Sequence, residues 1–378
     1  MALSKIQTSE MLDTPNLGRR NLIINGALQV AQRGTTVSTL ASSGYQIGPD
    51  RFRRSMNNSG GHQVTRERLS NDAAEGFVYS LKETVTTVSS ASDTTWAWRP
   101  FNYRIEGQDL QHLKFGTSNA ESVTLSFYVK SNKTGTASVV IYSYDSGGSY
   151  RTNTRRFTIN AANTWEKKTL TFNGDTTTAI RNTNEIGFDM MIYAQSGSAR
   201  TVNDNTSWGV GETNSAWYQC DLSLNTLNDF IMLTGFQLEV GDKATDFEHR
   251  SFAEELKLCQ RYFITTDTDK LGDTAAQSSY IMGTGYNSRV RFTYYHPTTM
   301  RTKPAGTVVD ASGNGNITYW RSASSYSYSG TWSFENTMTS SSYYTDGTLS
   351  SVNGQAVMAF MGDSSSNHNH YLELNAEL

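Results

Sequence analysis

The stretch GFQLEVGDKATDFEHRSFAEELKLCQRYF, Gly235 to Phe263, decides how this chain is read. It continues the run FIMLTGFQLEV, in which Phe230, Met232, Phe236, Leu238 and Val240 share one face, interrupted by Thr234. Alternation of that kind is the mark of a strand with one buried side. GDKATDFEHR then leaves the sheet. Ser251 is placed to cap a helix, with Glu254 three residues on as its capping-box partner. Phe252, Leu256, Cys259 and Phe263 follow at i, i+4, i+7 and i+11, one helical face, while Glu254, Glu255, Lys257 and Gln260 lie elsewhere on the wheel. The expected helix, 251–263, is a rigid peg between two β regions. Its apolar stripe packs on one of them or on a neighbouring subunit.

Upstream, the same alternation recurs. Val123, Leu125, Phe127 and Val129 share a face, as do Leu170 with Phe172, and Ile186, Phe188, Met190 and Ile192. ASVVIYSY (Ala137 to Tyr144) is continuous enough to be buried on both sides. Clusters such as DSGGS (Asp145 to Ser149) separate the runs; Gly accepts positive φ, and Asn and Asp bond their own backbone. Strands with one apolar face must meet another such face. Eight or more of them before Arg250 imply an all-β chain whose residues 21–250 form a jelly-roll-like β-sandwich. IEGQDLQHLK (Ile105 to Lys114) is the early helical candidate, closing an end of that sandwich. Residues 1–20 read as a polar arm.

Beyond Phe263 the composition changes. Residues 264–378 hold ten of the 20 tyrosines, set among Ser, Gly, Asn and Thr. SRVRFTYYH, QAVMAFMG and YLELNAEL still alternate, so a second, smaller β-sandwich domain is expected there.

Charge and composition exclude several functions. The formal net charge is −3, and Lys and Arg form no block of the kind a nucleic-acid binder carries. RFRR (Arg51 to Arg54) and RTNTRRF (Arg151 to Phe157) are the densest basic spots, and a solvated strand face accounts for both. No run approaches the ~18 apolar residues of a membrane span, and MALSKIQTSEMLD lacks a signal-peptide core. Neither membrane insertion nor a cleaved leader is expected. Cys220 and Cys259 are too few for a disulfide framework, although one bridge between them stays open. No GxSxG, HExxH, phosphate loop or Cys-His motif is present. Asp267, Asp269, Gly272 and Asp273 echo a Ca²⁺ loop but have Ser278 where glutamate belongs. His368 and His370 lack a third ligand for zinc. No cofactor or metal is expected.

NLIINGALQVAQRGT followed by DRF (Asp50 to Phe52), and then the opening stretch, together resemble paired signatures of phage and prophage tail-fibre or virion appendage proteins. The first is carried by Asn21, Asn25, Gly26, Gln32, Arg33 and Gly34, with Phe52 where tryptophan is usual. The second is carried by Gln237, Leu238, Glu239, Gly241, Thr245, Phe247, Glu248, Arg250, Glu254, Glu255, Cys259, Arg261 and Tyr262. The two bracket residues 21–263. The intervening YVKSN and TWEKKTLTF pattern is similar to carbohydrate-binding-module sandwiches.

The resemblance implies a homotrimeric virion protein, made in the host cytoplasm and displayed on a tail or capsid. Either residues 1–20 anchor it to other virion proteins, or it attaches through an adaptor. Its implied work is non-enzymatic recognition of a host surface glycan; a structural decoration and a glycan-cleaving spike are the alternatives. Sugars stack on aromatic faces, and Tyr and Trp give such area at low entropy cost. On that footing the glycan-binding candidates are Tyr319, Trp320, Tyr326, Tyr328, Trp332, Tyr343 and Tyr344. WAWRPFNYR (Trp96 to Arg104) is either a second sugar platform or a core strand. Glu239, Asp246 and Glu248 are expected in salt bridges or caps, with partners such as Arg250 or Arg261, rather than as paired catalytic acids.

Overall fold

The computed structural model describes residues 20–40, 48–57, 61–88, 97–196, 207–210, 222, 224–266, 279–286, 289–310, 317–321, 324–328, 332–345, 356–361 and 370–378. Two antiparallel sheets face each other upstream of the helix. One runs Thr36–Leu40, Gln63–Leu69, Ser80–Thr87, Phe230–Val240, Val123–Ser131, Glu166–Phe172. The other runs Gln195–Ser196, Ala97–Glu106, Ile186–Tyr193, Gly135–Tyr144, Tyr150–Ile159, Gly209–Val210, and Arg53–Asn57 also pairs with Ala97–Glu106. Successive strands cross repeatedly between the sheets, which gives the all-β, jelly-roll-like sandwich that the alternation implied.

Val123, Leu125, Phe127 and Val129 are all fully buried in the shared core. The strand Phe230–Val240 departs from expectation. Its core residues are Ile231, Leu233, Phe236 and Leu238, not Phe230 and Met232. Thr234 pairs with Tyr128 but Gln237 pairs with Ser126, so three steps on one strand face two on the other. The extra residue is a β-bulge, which exchanges the two faces of a strand. Gly235 supplies the positive φ of 64° there. The bulge delivers Phe236 into a ring cluster, 4.4 Å from Phe101 and 5.2 Å from Phe52.

The basic spots are solvated only in part: Arg156 is exposed, and Arg53, Arg151 and Arg155 are half-buried. Arg51 and Arg54 are buried, and Arg54 lies with Arg66 against the equally buried Glu83. The Trp98 indole N–H donates to the same carboxylate at 2.6 Å. Burial alone would raise the Glu83 carboxyl, but Arg54 and Arg66 hold it below the usual range. Arg151 pairs with Asp175 at 2.6 Å. A buried ion can persist only with such partners, and here each partner comes from another segment of the chain. Trp98, Phe101 and Tyr103 are core residues, so WAWRPFNYR is no sugar platform over its described residues. Ile105 to Lys114 closes one sandwich end as a 3-10 turn over Gly107–Leu113.

The helix spans Phe252–Gln260 with the expected Ser251–Glu254 capping box. Its buried residues are Glu255 and Cys259, while Phe252, expected in the apolar stripe, is 45% exposed. Phe263 is buried in the next strand rather than on the helix. Cys259 is an unbridged, buried thiol; Cys220 lies outside the described residues. No described helix is long and apolar enough to cross a membrane.

After the helix, a sheet of Phe263–Thr265, His370–Asn375 and Ala305–Asp310 joins a separate core with residues of a second sheet. That sheet runs Ser324–Tyr328, Ile317–Arg321, Ala356–Met361, Ser279–Tyr286, Arg289–Tyr295, Ser340–Thr345, Trp332–Asn336. Ile264, Phe292, Tyr343, Leu372 and Leu374 meet between them.

Candidate functional site

The two sequence signatures converge on one junction. Asn21 receives no strand partner of its own; its side-chain oxygen accepts from Ile23 N and Leu238 N, and its N–H donates to Glu248 at 2.8 Å. Asn25 adopts a φ of 62°, donates to Glu255 at 2.6 Å, and uses its side chain to close the loop onto Val30 and Asp50. Gly26 lies against the Phe236 carbonyl so closely that a Cβ would collide with it. Gln237 accepts from Glu248 N at 2.7 Å, and Glu248 pairs with Arg250. Arg250 reaches on to Glu255 at 3.4 Å.

A second part of the junction ties the sandwich to the distal sheet. Gln32 donates from its backbone and side chain to Asp50, and from its side chain to the Phe263 carbonyl at 2.8 Å. Arg33 stacks 3.6 Å over Phe263 and pairs with Glu377. Arg51 also pairs with Glu377 and lies 3.4 Å over the Tyr262 ring. Arg261, one expected partner of the signature acids, instead grips Glu106. Burial pushes the Asp50 carboxyl up to about 6 against the pull of Arg33 and Gln32. Burial likewise raises Glu255.

Glu239, Glu248 and Glu254 are engaged in structure, whereas Asp246, expected in a salt bridge or cap, is exposed and takes part through its backbone. Glu239 accepts from Thr245 N and pairs with Arg20 at 3.3 Å. Glu254 completes the capping box with Ser251, the N-cap of the helix. Asp246 offers its backbone carbonyl to Arg20 and Gln237.

Beside this junction opens a cleft of about 350 Å³. Ala27 and Gln29 of the first signature form one side, and His249 and Phe252 of the second form another. Phe77, Val78 and Tyr79, from the turn before Ser80–Thr87, complete it. The rings are held from behind. Phe77 meets Phe247 edge-on at 4.8 Å and packs against Gly235. The Arg68 guanidinium lies 4.1 Å from the Tyr79 ring centre and donates to the carbonyls of Leu28 and Gln29. Thr234 donates to the Tyr79 carbonyl at 2.6 Å. Val78 and Phe252 stand exposed at the opening, at 63% and 45%. A concave, mostly apolar site with a few polar groups is the usual form of a small-ligand site.

The sequence-based glycan candidates fare differently. Tyr343 is fully buried, stacked 5.4 Å from Phe292, because its strand alternates inward at that position. It is a core residue and leaves the candidate set. Trp332 is half-buried with its ring 5.7 Å from Tyr343, and Tyr344 is half-buried on the opposite face. Tyr319, Trp320, Tyr326 and Tyr328 lie on the paired strands Ile317–Arg321 and Ser324–Tyr328, with side chains outside the described residues. The Ca²⁺-loop echo and His368 lie outside them too. Sequence reasoning missed Phe77, Val78 and Tyr79. Their signal was present as an apolar run straight after the Glu75-Gly76 turn, which at three residues is too short to show a period.

No family model and no curated protein matches the chain. Among solved structures, the enzymatically active domain of bacteriophage CBA120 tailspike protein 4 aligns at 14% identity and a TM-score of 0.30, over 58% of this chain and 21% of that one. The match thus spans about a fifth of the tailspike domain's length. The CBM22-1 xylan-binding domain of Paenibacillus barcinonensis Xyn10C aligns at 14% identity and a TM-score of 0.24, over 57% of this chain and all of that one. A family 11 carbohydrate-binding module of a Clostridium thermocellum cellulosomal cellulase aligns at 10% identity and a TM-score of 0.26, covering 56% and 98%. At these scores the overlays carry no argument, and the fold rests on the strand pairing itself.

Proposed function

We propose that this protein is a bacteriophage tail-fibre or virion appendage component that recognises a host surface glycan without cleaving it. The observation that carries the reading is the aromatic cleft, whose walls come from both appendage-like signatures and whose rings are fixed from behind by Gly235, Arg68 and Thr234. Fixed rings bind without an ordering cost. The engagement of Glu239, Glu248 and Glu254 in ion pairs and caps supports binding over hydrolysis, since glycoside cleavage needs two carboxyls facing each other across a sugar. Trimerisation and attachment through residues 1–20 belong to the same proposal; three weak sites acting together raise avidity.

The test is adsorption of the purified full chain to host cells, compared with the Phe252→Ala variant, alongside an assay for reducing ends released from host polysaccharide. Saturable binding weakened by the substitution, with no sugar released, is the expected result. Failure of the intact chain to bind host cells would remove the receptor reading, and released reducing ends would make it an enzyme.

A further inference from the structure

We propose that the cleft takes an uncharged sugar unit bearing a methyl group, as in a 6-deoxyhexose or an N-acetylhexosamine, and not an acidic sugar. This rests on the glycan-recognition reading and names the ligand class for that same cleft. Three features point to it.

First, none of the described residues lining the cleft is Lys, Arg, Asp or Glu. Arg68, behind Tyr79, already serves the carbonyls of Leu28 and Gln29. A carboxylate or phosphate entering here would shed water without gaining a Lys or Arg partner in the lining. A neutral sugar needs none.

Second, the apolar surface exceeds what one sugar face needs. A plain hexose offers a single patch of C–H groups to one ring. Here Phe77 and Tyr79 are joined by two exposed apolar side chains, Val78 and Phe252, on separate segments. A methyl substituent gives these a partner, about fourfold in affinity per buried carbon. The cleft's about 350 Å³ is at the small end of the ~300–1,000 Å³ usual for ligand sites, which suits one or two rings rather than a long chain.

Third, the polar side chains lining the cleft are few. Gln29 and His249 can exchange hydrogen bonds with ring hydroxyls or with an acetamido group. Phe252 is held at the first helical position by the Ser251–Glu254 capping box, so the opening is preorganised.

The experiment titrates the full chain with methyl rhamnoside, N-acetylglucosamine, glucose and glucuronate, followed by ligand-observed NMR at low and high salt. The methyl-bearing sugars should bind about fivefold or more tighter than glucose, with glucuronate weakest and no loss at high salt. Val78→Ser and Phe252→Ala, both at exposed positions, should each weaken binding about tenfold without lowering the melting temperature. Two further arms use rhamnose-rich and N-acetylhexosamine-rich oligosaccharides to separate the two methyl sources. Preference for glucuronate, binding that falls with salt, or binding unchanged in both variants overturns the inference. So does a change of oligomeric state in both variants with no effect on sugar, which would make the cleft a contact between copies. If host-cell adsorption persists while all four sugars fail, the ligand class is wrong and glycan recognition stands; if adsorption is absent as well, both fall.

Discussion

Arg261 holds both carboxylate oxygens of Glu106, at 2.8 and 2.7 Å, and the Tyr262 hydroxyl donates to the same group at 2.6 Å. Glu106 ends a long strand of the sandwich, whereas Arg261 and Tyr262 end the helix. Burial would raise the Glu106 carboxyl, but these donors hold it below the usual range. Removing one member of a buried pair strands the other, at about 3–5 kcal/mol. Glu106→Gln should therefore lower stability by about 3 kcal/mol, read from urea unfolding. Lys114→Gln, which breaks an exposed pair with Glu121, should change it by under about 1 kcal/mol. Equal small effects from both would show that the junction is not held by this pair.

The bulge makes a second prediction. At Gly235 the positive φ disfavours any side chain, and a Cβ would come within 2.6 Å of the Phe77 ring. Gly235→Ala should cost about 2–3 kcal/mol from strain and displaced packing together. Because Phe77 lines the cleft, the same variant should weaken ligand binding, unlike a remote substitution of equal cost. Gly61→Ala is the comparison: its φ is also positive, but a Cβ there meets nothing within 4 Å. A Gly235→Ala protein as stable as Gly61→Ala would contradict the packing account.

Asp50 should titrate near pH 6. Its carboxyl is raised from an ordinary 3.8 to about 6, by burial first, with Arg33 and Gln32 opposing and Glu377 assisting. A raised carboxyl means the folded state resists ionisation. Its effect on stability is nil below pH 3.8, where both states are protonated. It turns unfavourable as pH rises towards 6, reaching about 3 kcal/mol once the folded form ionises too. The Gln32 amide, which donates to Asp50 Oδ1 at 2.9 Å, is the reporter. Its NMR shift should move with a midpoint near 6; a midpoint in the ordinary carboxylate range would refute the burial.

What could be read in the sequence was local. Val123 to Val129 alternates cleanly, and Ser251 with Glu254 sits within one turn, so both appear in the structure as expected. Phe230 to Leu238 was misread because Ile231, Met232 and Leu233 are apolar at either phase, and a bulge leaves no mark in such a run beyond its glycine. Arg51 and Arg54 looked solvent-facing because Glu377 and Glu83, which neutralise them, lie far away in the chain. Phe252 looked like core because the wheel records apolarity and not what lies opposite. The cleft escaped notice for the same reason: it draws on three segments more than 150 residues apart at the extremes.

Tyr343 offers the sharpest separation between the glycan-contact expectation and the packed core. Its hydroxyl is buried without a hydrogen-bond partner among the described residues, and burial drives its ionisation far out of reach. A stranded hydroxyl costs about 1–3 kcal/mol, while the ring itself packs on Phe292, Trp332 and Phe334. The two contributions come apart by substitution. Tyr343→Phe keeps the ring and removes the stranded group, so it should leave the melting temperature unchanged or raise it by a few degrees. Tyr343→Ala empties the site and should cost about 3–5 kcal/mol. Neither should alter glycan binding except through lost folding. A Tyr343→Phe protein that melts several degrees lower would mean the hydroxyl has a partner after all, and one that keeps its stability yet loses host-cell adsorption would restore this tyrosine as a contact residue.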